Sequence, residues 1–166
     1  MFKGMKADAY YHDIMEIDLA GLKAAGIKAV ILDIDNTLEH YATPTPGKHT
    51  ADFLQKLEEA EIKASVLSNA RPERAEKFCS GLIDCWIGYA GKPGKKGYRK
   101  LAEKLGLEPR EIACIGDQLY TDILGGNSFG CYTIFVEPMD VSDEPPFVRF
   151  KRLIEKPFLR RIKYDD

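Results

Sequence analysis

Two apolar textures alternate along this chain. Residues 28 to 33, 62 to 67, 83 to 88, 111 to 115 and 131 to 136 are short, mostly aliphatic runs with little polar alternation, the pattern of strands buried on both faces of a sheet. Between them the apolar positions fall at helical spacing. A helix is expected from Asp18, as N-cap, through Leu19, Leu22 and Ala25 to Gly26. Others are expected over 49 to 60 on Phe53, Leu54 and Leu57, over 72 to 81 with Pro72 in the first turn, over roughly 97 to 105, and over 120 to 128. Strands alternating with helices predict an α/β fold, a central parallel sheet with helices on both faces.

Composition narrows the picture to one domain, because 166 residues with 45% hydrophobic content suffice for one core and not comfortably for two. No apolar run is long enough to span a bilayer and the first residues lack a signal-peptide stretch, so the expected location is cytoplasmic, with peripheral contact at a membrane open. The cysteines form no C-x-x-C pair, and His12, His40 and His49 have no metal-ligand spacing. Neither zinc nor a disulfide is implied.

The net charge of −2 hides an asymmetry: residues 148 to 166 hold seven basic and three acidic side chains. The chain is therefore divided into 1–147, the α/β domain, and 148–166, a basic C-terminal segment. In that segment cations interleave with Phe150, Leu153, Phe158 and Leu159. It either lies on an anionic membrane or packs on the sheet, and Pro157 is expected to break any single helix there. The acidic remainder argues against nucleic acid as a partner.

Asp33 and Asp35 stand where the first core strand ends, since charge inside such a strand would be costly. At the carboxyl edge of an open sheet the pair can hold a cation, and it reads as a phosphoryl-transfer nucleophile site. The competing reading is a simple turn, favoured by Asp and Asn. Three further strand ends weigh against it: Ser68-Asn69, Lys92-Pro93, and Gly116-Asp117 with Asp122. Neither a P-loop nor a dinucleotide-binding glycine pattern is met.

Together these segments resemble the four motifs of the haloacid dehalogenase (HAD) superfamily: D-x-D-x-T, a strand-end Ser, Lys before Pro, and G-D-x-x-x-x-D. The resemblance implies a Rossmann-like HAD fold and a Mg²⁺-dependent phosphatase acting through an aspartyl-phosphate. In that scheme Asp33 is the nucleophile and Asp35 the general acid and base. Thr37, Ser68 and Asn69 bind the transferring oxygens, Lys92 offsets charge, and Asp122 orients Lys92 or a water. Asp33, Asp117 and the backbone carbonyl of Asp35 would ligate Mg²⁺. Alternatives stay open: Ser68 and Asn69 as helix caps, Lys95 in place of Lys92, and Asp122 as a cap.

The gaps between Thr37 and Ser68 and between Asn69 and Lys92 are too short for a cap domain, so an open site for a large phosphorylated substrate is expected. Over nearly its whole length the chain is similar to the YqeG family of type IIIA phosphatases, related to mitochondrial phosphatidylglycerophosphate phosphatase. Ala7-Asp8-Ala9-Tyr10-Tyr11, Asp33-Ile34-Asp35-Asn36-Thr37-Leu38 and Gly116-Asp117-Gln118-Leu119 carry that likeness. Glu39-His40 departs from it and touches the expected leaving-group environment. The resemblance points to phosphatidylglycerophosphate in an anionic membrane. Small phosphorylated metabolites, phosphoproteins, or a non-catalytic interaction module on the same fold are the alternatives.

Overall fold

The computed structural model describes residues 3–160 and 162–165; Arg161, counted above in the basic segment, lies outside the described residues. Five of the six strands follow the apolar runs: β2 (Ala29–Leu32), β3 (Lys63–Leu67), β4 (Trp86–Ile87), β5 (Ile112–Gly116) and β6 (Tyr132–Val136). With β1 (Ala9–Tyr11) they form one all-parallel sheet in the order β1-β6-β5-β2-β3-β4. From β2 the chain builds through β3 and β4 to one side, then returns to build β5, β6 and, from the N-terminus, β1 on the other. The reversal lies between β2 and β5, and such a switch point opens a crevice at the carboxyl ends of those two strands.

Alternation along the strands divides the core. Val30, Leu32, Val66, Ala113 and Ile115 pack in one apolar cluster with Phe53 and Leu57 of α2 (Lys48–Glu59) and Phe78 of α3 (Pro72–Cys79). Ile31, Leu67, Ile112 and Cys114 face the other way, onto Tyr98 and Leu101 of α4 (Lys95–Leu105). Both faces of the sheet are thus covered, which is why its strands read as unbroken apolar runs. α1 (Leu19–Ala24) starts at Asp18, whose side chain accepts the Gly21 N–H. Helix α2 with β3 fills the chain between Thr37 and Ser68, and α3 with β4 fills it between Asn69 and Lys92. No cap domain is inserted at either place.

Three features differ from the sequence reading. β1 was not expected, since three residues are too short to show a period. It is fixed by its ends: the Asp8 carboxylate accepts the Thr133 N–H, and Asp165 exchanges hydrogen bonds with the Tyr10 backbone. The helix expected over 120 to 128 opens with a wide π-type turn, Leu119–Ile123, before α5 (Leu124–Phe129). Finally, α6 (Pro146–Leu159) runs through Pro157. That proline sits in the last turn, where the carbonyl it leaves without a donor belongs to the exposed Leu153.

Candidate active site

Asp33 is the first residue past β2, and its N–H still bonds the Ile115 carbonyl, so the strand ladder places its carboxylate at the crevice. Lys92, on the loop before α4, puts Nζ 2.9 Å from Asp33 Oδ1 and 2.6 Å from Asp122 Oδ1. All three side chains are buried. Lys95 is exposed at the start of α4; the lysine that meets Asp33 is Lys92. Asp122 is no cap for α5, because its second oxygen accepts the Gln118 N–H across the wide turn at 3.1 Å. The widened turn thus aims Asp122 at the lysine.

Asp117 follows β5 and is wholly buried. Its Oδ1 accepts the Thr37 hydroxyl at 2.9 Å, and its other oxygen is bonded by the Arg152 guanidinium from α6. Asp33, Asp117 and Asp122 each offer a carboxylate oxygen within 4.8 Å of the others. Burial pushes the Asp33 carboxyl well above the usual carboxylate range, with Lys92 opposing the shift and the neighbouring carboxylates adding to it. Asp117 is raised by the same burial, opposed by Arg152. Lys92 moves upward despite its burial, because Asp122 and Asp33 both favour its charged form. Buried carboxylate oxygens gathered this closely suit a hard divalent cation such as Mg²⁺, and oxygens already accepting one hydrogen bond retain lone pairs for it.

Asp35 stands apart from that cluster. Arg74 of α3 grips its carboxylate bidentately, with both contacts at 2.7 Å, and the Ala42 N–H adds a third bond. The carboxylate still lines a cleft of 420 Å³ with Asp33, Ser68, Asn69, Lys92, Arg71 and Arg74, closed on one side by Phe147, Val148 and Lys151 of α6. The Asp33–Thr37 turn is held by Asn36, whose left-handed backbone (φ 61°) is one that Asn tolerates better than most residues.

The reading of Ser68 and Asn69 as caps for α3 is corrected. Ser68 Oγ accepts the Ala70 N–H within the loop, while Asn69 Oδ1 accepts the Lys92 N–H at 2.9 Å. Asn69 therefore pins the backbone of the lysine loop. Glu39, the departure after the motif, turns away from the cleft to accept the Gly47 N–H and the Thr50 hydroxyl at the start of α2.

Sequence reading missed Arg152 and Glu144. Glu144 is buried, accepts from Asn36 at 2.7 Å, and receives the same Arg152 guanidinium that bonds Asp117. By composition Arg152 is one of the seven cations of the tail, yet it belongs to the site. Nothing local in the sequence separates it from Arg149 or Lys151.

The Hydrolase_like family, described as HAD-hydrolase-like, matches residues 89–138, the stretch with Lys92, Asp117 and Asp122. The chain is 33% identical over 157 residues to the probable phosphatase YqeG of Bacillus subtilis, covering 94% of this chain and 90% of that protein. It is 29% identical to the chloroplastic phosphatidylglycerophosphate phosphatase 1 of Chlamydomonas reinhardtii, over 97% of this chain and 65% of that one. Among solved structures, the cobalt-bound deoxy-D-mannose-octulosonate 8-phosphate phosphatase of Haemophilus influenzae superposes with a TM-score of 0.55 at 23% identity, covering 78% of this chain and 77% of that chain. That likeness is one of fold. With the buried Lys92 and the three carboxylates at the switch point, the first of these relatives assigns the chain to the YqeG family of HAD-type phosphatases.

Proposed function

We propose that this protein is a Mg²⁺-dependent phosphatase that removes a phosphate monoester from a membrane lipid, phosphatidylglycerophosphate being the substrate after which its chloroplastic and mitochondrial relatives are named. The observation that carries the chemistry is the Lys92 ammonium held between Asp33 and Asp122, beside Asp117, at the floor of an open cleft.

Asp33 attacks phosphorus, forming an Oδ–P bond as the bond to the lipid alkoxide breaks, and Asp35 gives that alkoxide its proton. A water deprotonated by Asp35 then attacks phosphorus, releasing inorganic phosphate and the Asp33 carboxylate. Arg74 holds both oxygens of Asp35 in the resting site, so one of these two contacts opens for the proton that Asp35 carries to the alkoxide. Thr37 steadies Asp117, while the Ser68 hydroxyl donates to the transferring oxygens. Lys92 offsets the charge on Asp33 and on the phosphoryl group, with Asn69 and Asp122 fixing its two ends. Asp33 and Asp117, with the Asp35 carbonyl, are the groups that would hold Mg²⁺, which would supply positive charge to offset repulsion between the carboxylate nucleophile and the phosphate.

The lipid reading is supported by the likeness to phosphatidylglycerophosphate phosphatases and by the short α2–β3 and α3–β4 connections, which insert no cap domain over the cleft. The test is phosphate release from phosphatidylglycerophosphate in vesicles, set beside glycerol phosphate, p-nitrophenyl phosphate and a phosphopeptide, with and without Mg²⁺. Asp33→Asn should lose more than about a thousandfold, or ~4 kcal/mol of barrier, without unfolding. Faster turnover of the soluble metabolites would move the assignment to them. A wild type inert on the whole panel would leave a non-catalytic module.

A further inference from the structure

We infer that the outward face of α6 is a docking surface for an anionic lipid bilayer, seated beside the mouth of the cleft. The proposal deepens the lipid reading above and rests on it for its purpose, though the docking itself is separately measurable. Apart from its last turn, where Phe158 and Leu159 pack on the apolar cluster of Met5, Tyr10 and Phe135, the helix is inside out. Its protein-facing side carries the charged pair Arg152 and Glu155, which bond Asp117, Glu144 and the Tyr120 N–H. Its solvent side carries Phe147, Phe150, Leu153 and Ile154, which are 68, 60, 57 and 50% exposed. At about 100° per residue, Phe150, Leu153, Ile154 and Pro157 form one stripe opposite the buried Glu155. A surface helix ordinarily shows the reverse, and large apolar groups exposed in one stripe mark an interaction surface.

Charge decides what that surface meets. By the same projection Arg149, Lys156 and Arg160 flank one side of the stripe, and Lys151 flanks the other. Lys151 Nζ lies 4.5 Å from the centre of the Phe147 ring. The one acidic residue of the helix, Glu155, is buried, so every exposed charge on it is positive. A second copy docked about a two-fold axis would bring these cations face to face. An anionic bilayer instead takes the apolar stripe below its headgroups and pairs the cations with phosphates. Phe147, Val148 and Lys151 also line the cleft with Asp33 and Asp35, so a helix lying in the headgroup layer brings the cleft mouth to the depth of lipid phosphates.

The test uses the whole chain and vesicles of phosphatidylcholine with or without phosphatidylglycerol. The wild type should sediment with the anionic vesicles and not with the neutral ones. The combined variant Phe150→Gln, Leu153→Gln, Ile154→Gln should bind at least about tenfold more weakly. Neutralising Arg149, Lys156 and Arg160 to Gln should lower partitioning by about a hundredfold at low salt, and added salt should do the same to the wild type. Both variants should keep p-nitrophenyl phosphate turnover. Amide hydrogen exchange on the wild type, which needs no variant, should slow in α6 when anionic vesicles are present. A wild type indifferent to anionic vesicles, undiminished binding by the apolar variant, unchanged exchange in α6, or a dimer that the apolar variant dissolves would each overturn the assignment. Docking without hydrolysis of phosphatidylglycerophosphate would sink the substrate reading alone, and hydrolysis without docking would sink this one alone.

Discussion

At the residue scale, the site is a set of buried charges that satisfy one another, except at Glu155 Oε2 and Arg74 Nε, which find no hydrogen-bond partner among the described residues. Glu155 is fully buried and accepts the Tyr120 N–H with its other oxygen. Burial raises its carboxyl from 4.5 to about 7, against the opposing pull of the Tyr120 N–H and Arg152 and with Asp117 and Asp122 adding to the rise. A carboxyl raised on folding favours the folded state when protonated. The contribution is therefore fully present below pH 4.5 and is lost as pH climbs through about 7, on the order of 3 kcal/mol at most. Glu155→Gln should remove this slope. In metal-free buffer, denaturant stability of the wild type minus that of the variant should fall between pH 4.5 and 8. A difference independent of pH would show that Glu155 does not titrate in this range. Asp33, Asp35, Thr37, Lys92 and Asp117 were legible because each sits in a short motif at a strand end. Glu155, Glu144 and Arg152 were not, because their partners lie on other elements and only the folded chain joins them.

At the scale of elements, α6 does two things that its sequence presents as one. Composition made it a basic segment with cations of equal standing, yet Arg152 is the one that turns inward, its side chain 12% exposed, to join Asp117 and Glu144. Truncating it should leave two buried carboxylates without their cation, so Arg152→Ala should destabilise by roughly 3–5 kcal/mol. Arg149→Ala, on the exposed side of the same helix, should stay within about 0.5 kcal/mol. Equal effects in urea denaturation would mean that the Arg152 bridge contributes nothing beyond a surface charge. The same reasoning explains which elements the sequence revealed. β2, β3, β5 and β6 are buried on both faces and announce themselves as apolar runs, whereas β1 is a three-residue edge strand held by Asp8 and Asp165. Pro157 misled because its position in the last turn, where a missing N–H costs little, depends on where the helix ends.

At the scale of the whole molecule, the doubly wound order brings the ends of β2 and β5 side by side, and with them Asp33 and Asp117. Parallel strands that are neighbours in space, though some eighty residues apart in sequence, thus converge carboxylates that would repel one another in isolation. Lys92 and Arg152 supply two compensating cations, yet Asp33 and Asp117 both remain above the ordinary carboxylate range through burial, so the folded chain still gains from one more cation. Mg²⁺ should therefore stabilise the protein whether or not substrate is present. At a concentration a hundred times its dissociation constant the gain is about 2.7 kcal/mol. For a domain of this size that corresponds to a rise in Tm of roughly 5–10 °C. Ca²⁺, larger and tolerant of looser geometry, is the useful comparison. Asp117→Asn should abolish the Mg²⁺-dependent rise and Asp52→Asn, on the exposed surface of α2, should leave it intact. If Tm is unmoved by millimolar Mg²⁺, or if Asp117→Asn responds as the wild type does, the three carboxylates are a structural network closed by Lys92 and Arg152, and the cation is held elsewhere.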